Sequence, residues 1–136
     1  MKLILNGVLK VSYKEKREFR RGDICLCEFV DVGGSVQSGL RPAVIIQNDI
    51  GNRFSSTLIV SPITSTIKKM KQPTHVFVSK EFGLPEDSMV MLEQIQTIDK
   101  KFHIREHIGF IDDVSMINKI NKALRRSLAL DELNGI

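Results

Sequence analysis

A series of short apolar runs broken by turn residues, then one segment of helical period, limits the folds open to this chain. Ile24 to Val30 alternates as a half-buried strand does, and Val32-Gly33-Gly34-Ser35 reads as a flexible loop. Ala43–Gln47, Thr57–Ser61 and Ser88–Ile95 are further strand-length runs, and Ile108–Ile111 is a brief last one. His75–Ser79 follows a loop marked by Pro73 and by Lys68, Lys69 and Lys71. After Asp112-Asp113, apolar residues recur at Val114, Ile117, Ile120, Leu124 and Leu128, the spacing of an amphipathic helix. The aspartates suit its positive N-terminal end, and Lys122, Arg125 and Arg126 suit its C-terminal end. The expected fold is therefore mainly β with a C-terminal helix, a small coiled antiparallel barrel that the helix caps.

Charge divides the chain. Residues 1–22 hold seven lysines and arginines against Glu15 and Glu18, whereas the rest holds 13 basic and 14 acidic residues. Residues 1–20 thus read as a basic N-terminal extension, and 21–136 as one domain with a modest core. A nucleic-acid role cannot rest on overall charge and needs a local patch. No apolar run approaches the roughly 20 residues of a membrane span, and Leu3-Ile4-Leu5 is too short for a signal peptide, so a cytoplasmic protein is expected. Cys25 and Cys27 share one face of a strand, about 6.6 Å apart along it, a poor arrangement for a disulfide within that element. No further Cys or His stands near at ligand spacing, so buried thiols are expected, with no metal and no cofactor.

The stretch Gln37-Ser38-Gly39-Leu40-Arg41-Pro42, running into Ala43-Val44-Ile45-Ile46, places one arginine at the mouth of a buried strand. Pro42 fixes its own φ and holds Arg41 extended. A permanent cation on a rigid strand suits a phosphate-handling site.

Longer blocks carry a family likeness: Arg21-Gly22-Asp23, Gly39-Leu40-Arg41-Pro42, Gln47 through Ser55, Pro73-Thr74-His75-Val76, Leu92 through Lys100, and Ser127-Leu128-Ala129-Leu130. Over about residues 20–130 the chain closely resembles the MazF/PemK (EndoA-like) endoribonuclease toxins of bacterial toxin–antitoxin systems. The resemblance implies an SH3-like barrel that forms a homodimer, cleaves single-stranded RNA (chiefly mRNA) at a short sequence, and is neutralised by a MazE-like antitoxin. It matches Arg41 to the family's catalytic arginine and Thr64 to its catalytic threonine.

Metal-free RNA cleavage must deprotonate a 2′-OH, stabilise the charge on the phosphorane and protonate the 5′-oxygen. A guanidinium holds two phosphoryl oxygens at once but keeps its proton at neutral pH, so Arg41 suits charge stabilisation. The candidate base is Glu93, with His75 the alternative and more readily an RNA contact. Ser35, Gln37, Asn52, His75 and Gln94 are the expected RNA-binding residues, because single-stranded RNA exposes base edges to such groups. Phe54 is read as a core residue, with base stacking as its other use. Lys68, Lys69 and Lys71 read as a solvated patch that can also track phosphates. The competing readings are a non-catalytic barrel toxin that binds a protein such as gyrase, and a nucleic-acid-binding barrel without cleavage.

Overall fold

A computed structural model describes residues 18–67 and 72–131 in full, and the backbone alone of 2–5 and 8–11. The first two strands, β1 (Lys2–Leu5) and β2 (Val8–Val11), form a separate antiparallel hairpin in the register Lys2↔Val11. Seven strands make the main sheet: β3 (Asp23–Phe29), β4 (Gly39–Ile45), β5 (Thr57–Thr64), β6 (His75–Val78), β7 (Ser88–Met91), β8 (Gln96–Asp99) and β9 (Ile104–Phe110). Two helices join them, the short α1 (Asp49–Phe54) and the C-terminal α2 (Val114–Leu128). All described pairings are antiparallel, in the order β6-β7-β5-β4-β3-β9.

The coiling comes from β5. Its first half, Thr57–Val60, pairs with β8, while its last residues, Ile63 and Thr64, pair with β7. One strand therefore serves two stretches of sheet, which coils the sheet around itself as in a small, partly open barrel. Alternation then sorts the core into two clusters. Ile24, Val44, Ile63, Val76, Val78 and Val90 meet Ile120 and Ala123 of α2 on one side. Cys25, Cys27, Phe29, Ala43, Ile45, Leu58 and Val60 fill the other with Ile98 and Ile104. The two cysteines are unbridged and fully buried, and burial pushes the Cys27 thiol far above its ordinary range.

The helix forms where its pattern predicts. Asp113 caps it by accepting from Met116 N at 3.2 Å, and Ala129 ends it in the left-handed region at φ 55°. Its apolar stripe is narrower than expected: Val114 and Leu128 are exposed, and Met116, Ile117, Ile120, Ala123 and Leu124 make the contact. At about 3.6 residues per turn, both end positions rotate away from the face centred on Ile120.

Several boundaries also shift. β4, β5 and β9 are longer than their apolar runs, α1 was not expected, and the run Ser88–Ile95 breaks into β7 and a turn that leads to β8. Packing begins before Arg21, since Phe19 is buried in the second cluster and Arg20 stacks 3.8 Å from the Phe110 ring centroid. Asp23 is wholly buried, held by Arg20 N at 2.8 Å and His107 Nε2 at 3.0 Å. Arg21-Gly22-Asp23 is thus a strand start. Arg21 donates to Ile46 O and to Asn121 Oδ1, tying the end of β4 to α2, and its burial lowers its pKa against the opposing pull of Asp49.

Candidate active site

β4 and β5 run in register from Ile45↔Val60 to Ala43↔Pro62. Carried two residues further, that register would set Arg41 opposite Thr64. The ladder stops instead, and β5 turns to pair β7 through Ile63↔Val90 and Thr64↔Met89. Two prolines stand at the parting, Pro42 and Pro62, and neither has an N–H with which to continue a ladder. The gap between the strands is a groove of about 320 Å³ lined by Arg41, Pro42, Thr64, Ser65, Thr66, Glu86 and Ser88, among others.

Both family-matched residues are poised in it. Arg41 donates its Nε to Ser38 O at 3.0 Å, and among the described residues its terminal nitrogens have no hydrogen-bond partner. That leaves the outer edge of the guanidinium for two oxygens of an incoming anion. Thr64 Oγ1 accepts from Thr66 N at 3.2 Å, and its hydroxyl proton remains available for donation. Glu86 is the only carboxylate among the described lining residues, and sequence reasoning overlooked it. Its place depends on the chain folding back after Gly83, which no local pattern reveals.

The expected base, Glu93, is elsewhere. It is not among the residues lining the groove; its carboxylate binds His75 Nε2 at 2.6 Å, Thr74 Oγ1 at 3.3 Å and Gln72 Nε2 at 3.3 Å. The His75 side chain is only 7% exposed, and among the described residues its buried Nδ1 has no hydrogen-bond partner. His75 and Glu93 therefore form a hydrogen-bonded pair, distinct within the chain from the Arg41–Thr64 groove. His75 also borders a second cavity of about 480 Å³, with Lys119, Lys122 and Arg126 of α2 around it.

The remaining expected RNA contacts divide. Ser35, Gln37 and Gln94 come together: Gln94 Oε1 accepts from Gln37 N at 2.8 Å, and Gln94 Nε2 donates to Ser35 O at 3.3 Å. Asn52 does not join them. It is 1% exposed in α1, where its Nδ2 donates to Gln47 O and Asp49 Oδ1 and its Oδ1 accepts from Gln47 Nε2. That amide holds the turn into α1, so it is not open to read a base. Phe54 reverses the expectation in the other sense, being 77% exposed with the Arg53 guanidinium 5.5 Å from its ring centroid. Lys68, Lys69 and Lys71 lie outside the described residues.

Comparison with known proteins supplies an independent line. A model of the PemK-like, MazF-like toxins of type II toxin–antitoxin systems matches residues 20–128. The chain is 49% identical over 112 residues to Endoribonuclease EndoA of Bacillus subtilis (strain 168), covering 82% of this chain and 95% of that protein. It is 47% identical over 116 residues to Endoribonuclease MazF of Staphylococcus epidermidis, covering 85% and 95%. Among solved structures, an endoribonuclease in complex with its cognate antitoxin from Mycobacterial species shares the fold at a TM-score of 0.66 and 27% identity. The match covers 82% of this chain and 95% of that one.

Proposed function

The chain belongs to the PemK-like, MazF-like toxin family of type II toxin–antitoxin systems, and we propose that it is a sequence-specific endoribonuclease of single-stranded RNA, chiefly mRNA. The observation that carries this reading is the meeting of Arg41 and Thr64 in one groove where β4 and β5 part. A barrel that only bound RNA would need no such pair. Relatives named as endoribonucleases also favour cleavage over a gyrase-binding toxin.

In the proposed reaction a phosphodiester lies in the groove, with two of its oxygens on the outer edge of Arg41 and one accepting from Thr64. The 2′-OH gives up its proton, the 2′-oxygen attacks phosphorus, and the bond to the 5′-oxygen breaks. The 5′-oxygen leaves as a hydroxyl, its proton supplied by solvent that the open groove admits. As phosphorane charge grows, the donors already in place stabilise it without reorganising. The products are a 2′,3′-cyclic phosphate and a 5′-hydroxyl. The proton acceptor we assign is Glu86. Glu86→Gln keeps the shape and removes the base, so kcat should fall about a hundredfold, within the usual range for general-base loss. A Glu86→Gln enzyme with unchanged kcat would remove Glu86 from the mechanism.

The domain we propose spans the matched region and starts at Phe19, whose burial makes it part of the fold. We assign the protein to the cytoplasm as a homodimer, restrained by a MazE-like antitoxin whose acidic, extended segment competes with RNA. Among the described residues no helix is long and apolar enough to cross a membrane. The function is tested by incubating purified protein with a long single-stranded RNA and mapping the fragment ends. Cuts should recur at one short sequence, and the same sequence held in duplex should resist. Intact RNA, or cuts without a shared sequence, would refute the assignment.

A further inference from the structure

The loop between β3 and β4 leads directly into Arg41, yet most of it has little to hold it. Residues 30–36 are exposed, and Gly33 and Gly34 both take left-handed φ, at 87° and 65°. Within the loop Gly33 N donates to Asp31 Oδ1 at 2.8 Å, and from outside it the backbone of residues 35–37 is fastened by side chains of the connection from β7 and of the first residue of β8. Gln94 grips it twice, accepting from Gln37 N at 2.8 Å and donating to Ser35 O at 3.3 Å. Gln96, at the start of β8, donates its Nε2 to Gln37 O at 3.3 Å. Both backbone groups of Gln37 are thus held by side chains more than fifty residues away. The next residue, Ser38, offers the carbonyl that receives Arg41 Nε at 3.0 Å.

The geometry points to Gln94 and Gln96 as positioning residues, a two-glutamine clip that sets the β3–β4 loop and, through Ser38 O, the direction of the Arg41 guanidinium. This rests on the nuclease reading for its consequence in catalysis, though not for the clip itself. An arginine donating through Nε has its plane fixed by that one bond, and the edge it offers to a phosphate turns with it. If the loop drifts, Ser38 O moves and the guanidinium turns away from the phosphorane. Binding of the RNA through the rest of the groove would be little affected, so the loss belongs in kcat and not in KM. Gln94 on this view is fully engaged inside the protein, and its amide is not the free base reader expected from sequence.

The test uses three forms of the full chain: unaltered, Gln96→Met and Gln96→Arg. Methionine keeps the length of glutamine without a donor, and arginine restores an N–H that can reach Gln37 O. Gln96→Met should lower kcat on a single-site RNA about fivefold to tenfold, the scale of one hydrogen bond, with KM within about twofold. Gln96→Arg should recover kcat to within about twofold. Hydrogen exchange without RNA should show the amides of residues 35–38 exchanging faster in Gln96→Met alone. The proposal is overturned by unchanged loop exchange in Gln96→Met, by a loss confined to KM, or by a Gln96→Arg enzyme as slow as Gln96→Met. Failure of the unaltered protein to cleave RNA overturns the nuclease reading instead, and the exchange measurement then still decides whether the clip exists.

Discussion

Arg41→Ala is expected to slow RNA cleavage at least about a hundredfold, the scale seen when one preorganised donor is removed from a transition state. The expectation follows from how little else in the groove can take up the charge. Arg41 is the only cation among its described lining residues, and the hydroxyl of Thr64 supplies one neutral donor beside it. Arg41→Lys is the sharper variant. It keeps a positive charge but replaces a planar fork with a point charge, and it loses the Nε bond to Ser38 O. It should recover only part of the lost rate, with kcat rather than KM carrying the defect. Single-turnover cleavage followed over a range of protein concentrations separates the two. A lysine enzyme as fast as the parent would mean that charge alone matters and that the directed guanidinium does not.

The second large effect is on stability. Gly109 in β9 and Gly83, just after the 3₁₀ turn Lys80–Phe82, pass backbone against backbone. A Cβ on Gly109 would overlap the Phe82 carbonyl oxygen, and one on Gly83 would overlap the Ile108 carbonyl oxygen. Gly83 also sits at φ 112°, a conformation that strains any side chain. Neither obstacle is the end of a flexible side chain, so relief requires the backbone to move. Gly109→Ala should therefore destabilise the fold by at least about 3 kcal/mol, at or above the upper end for overpacking. For a domain of this size that lowers Tm by about 10 °C or more. Thermal melting followed by circular dichroism reads it directly, and a Tm within about 2 °C of the parent would contradict this close packing.

Those two glycines show which information a sequence hides. Nothing near Gly109 announces a partner 26 positions earlier, because close approach is a property of the folded barrel and not of the local run. Arg41 and Thr64 were legible for the opposite reason. Pro42 and the apolar run after it declare a strand end locally, and the family resemblance supplies the threonine. The C-terminal helix was legible because its period persists over 15 residues. α1, at six residues, is too short to show a period, and it inverts the usual expectation for its side chains. Asn52 goes inside because its amide closes hydrogen bonds to Gln47 and Asp49, and Phe54 stays outside at the helix end.

The same physical distinction separates the acid–base candidates. Glu93 is a candidate in sequence because the resembling family can carry an acidic residue near this place, yet in the fold it is bound by His75, Thr74 and Gln72. Glu86 lies in an ordinary polar turn, Pro85-Glu86-Asp87, and reaches the groove because β7 pairs with the end of β5. Which carboxylate lines the Arg41 groove is decided by strand pairing, and the pairing partner of β5 changes along its length.

The most direct test of the whole account is the chemistry of the cut ends. Purified protein should cleave a single-stranded RNA oligonucleotide in the presence of EDTA. Mass spectrometry should find a 2′,3′-cyclic phosphate on the upstream fragment and a free 5′-hydroxyl on the downstream one, with Arg41→Ala yielding the same ends far more slowly. Fragments bearing 5′-phosphates, cleavage abolished by EDTA, or an Arg41→Ala protein as fast as the parent would contradict the account.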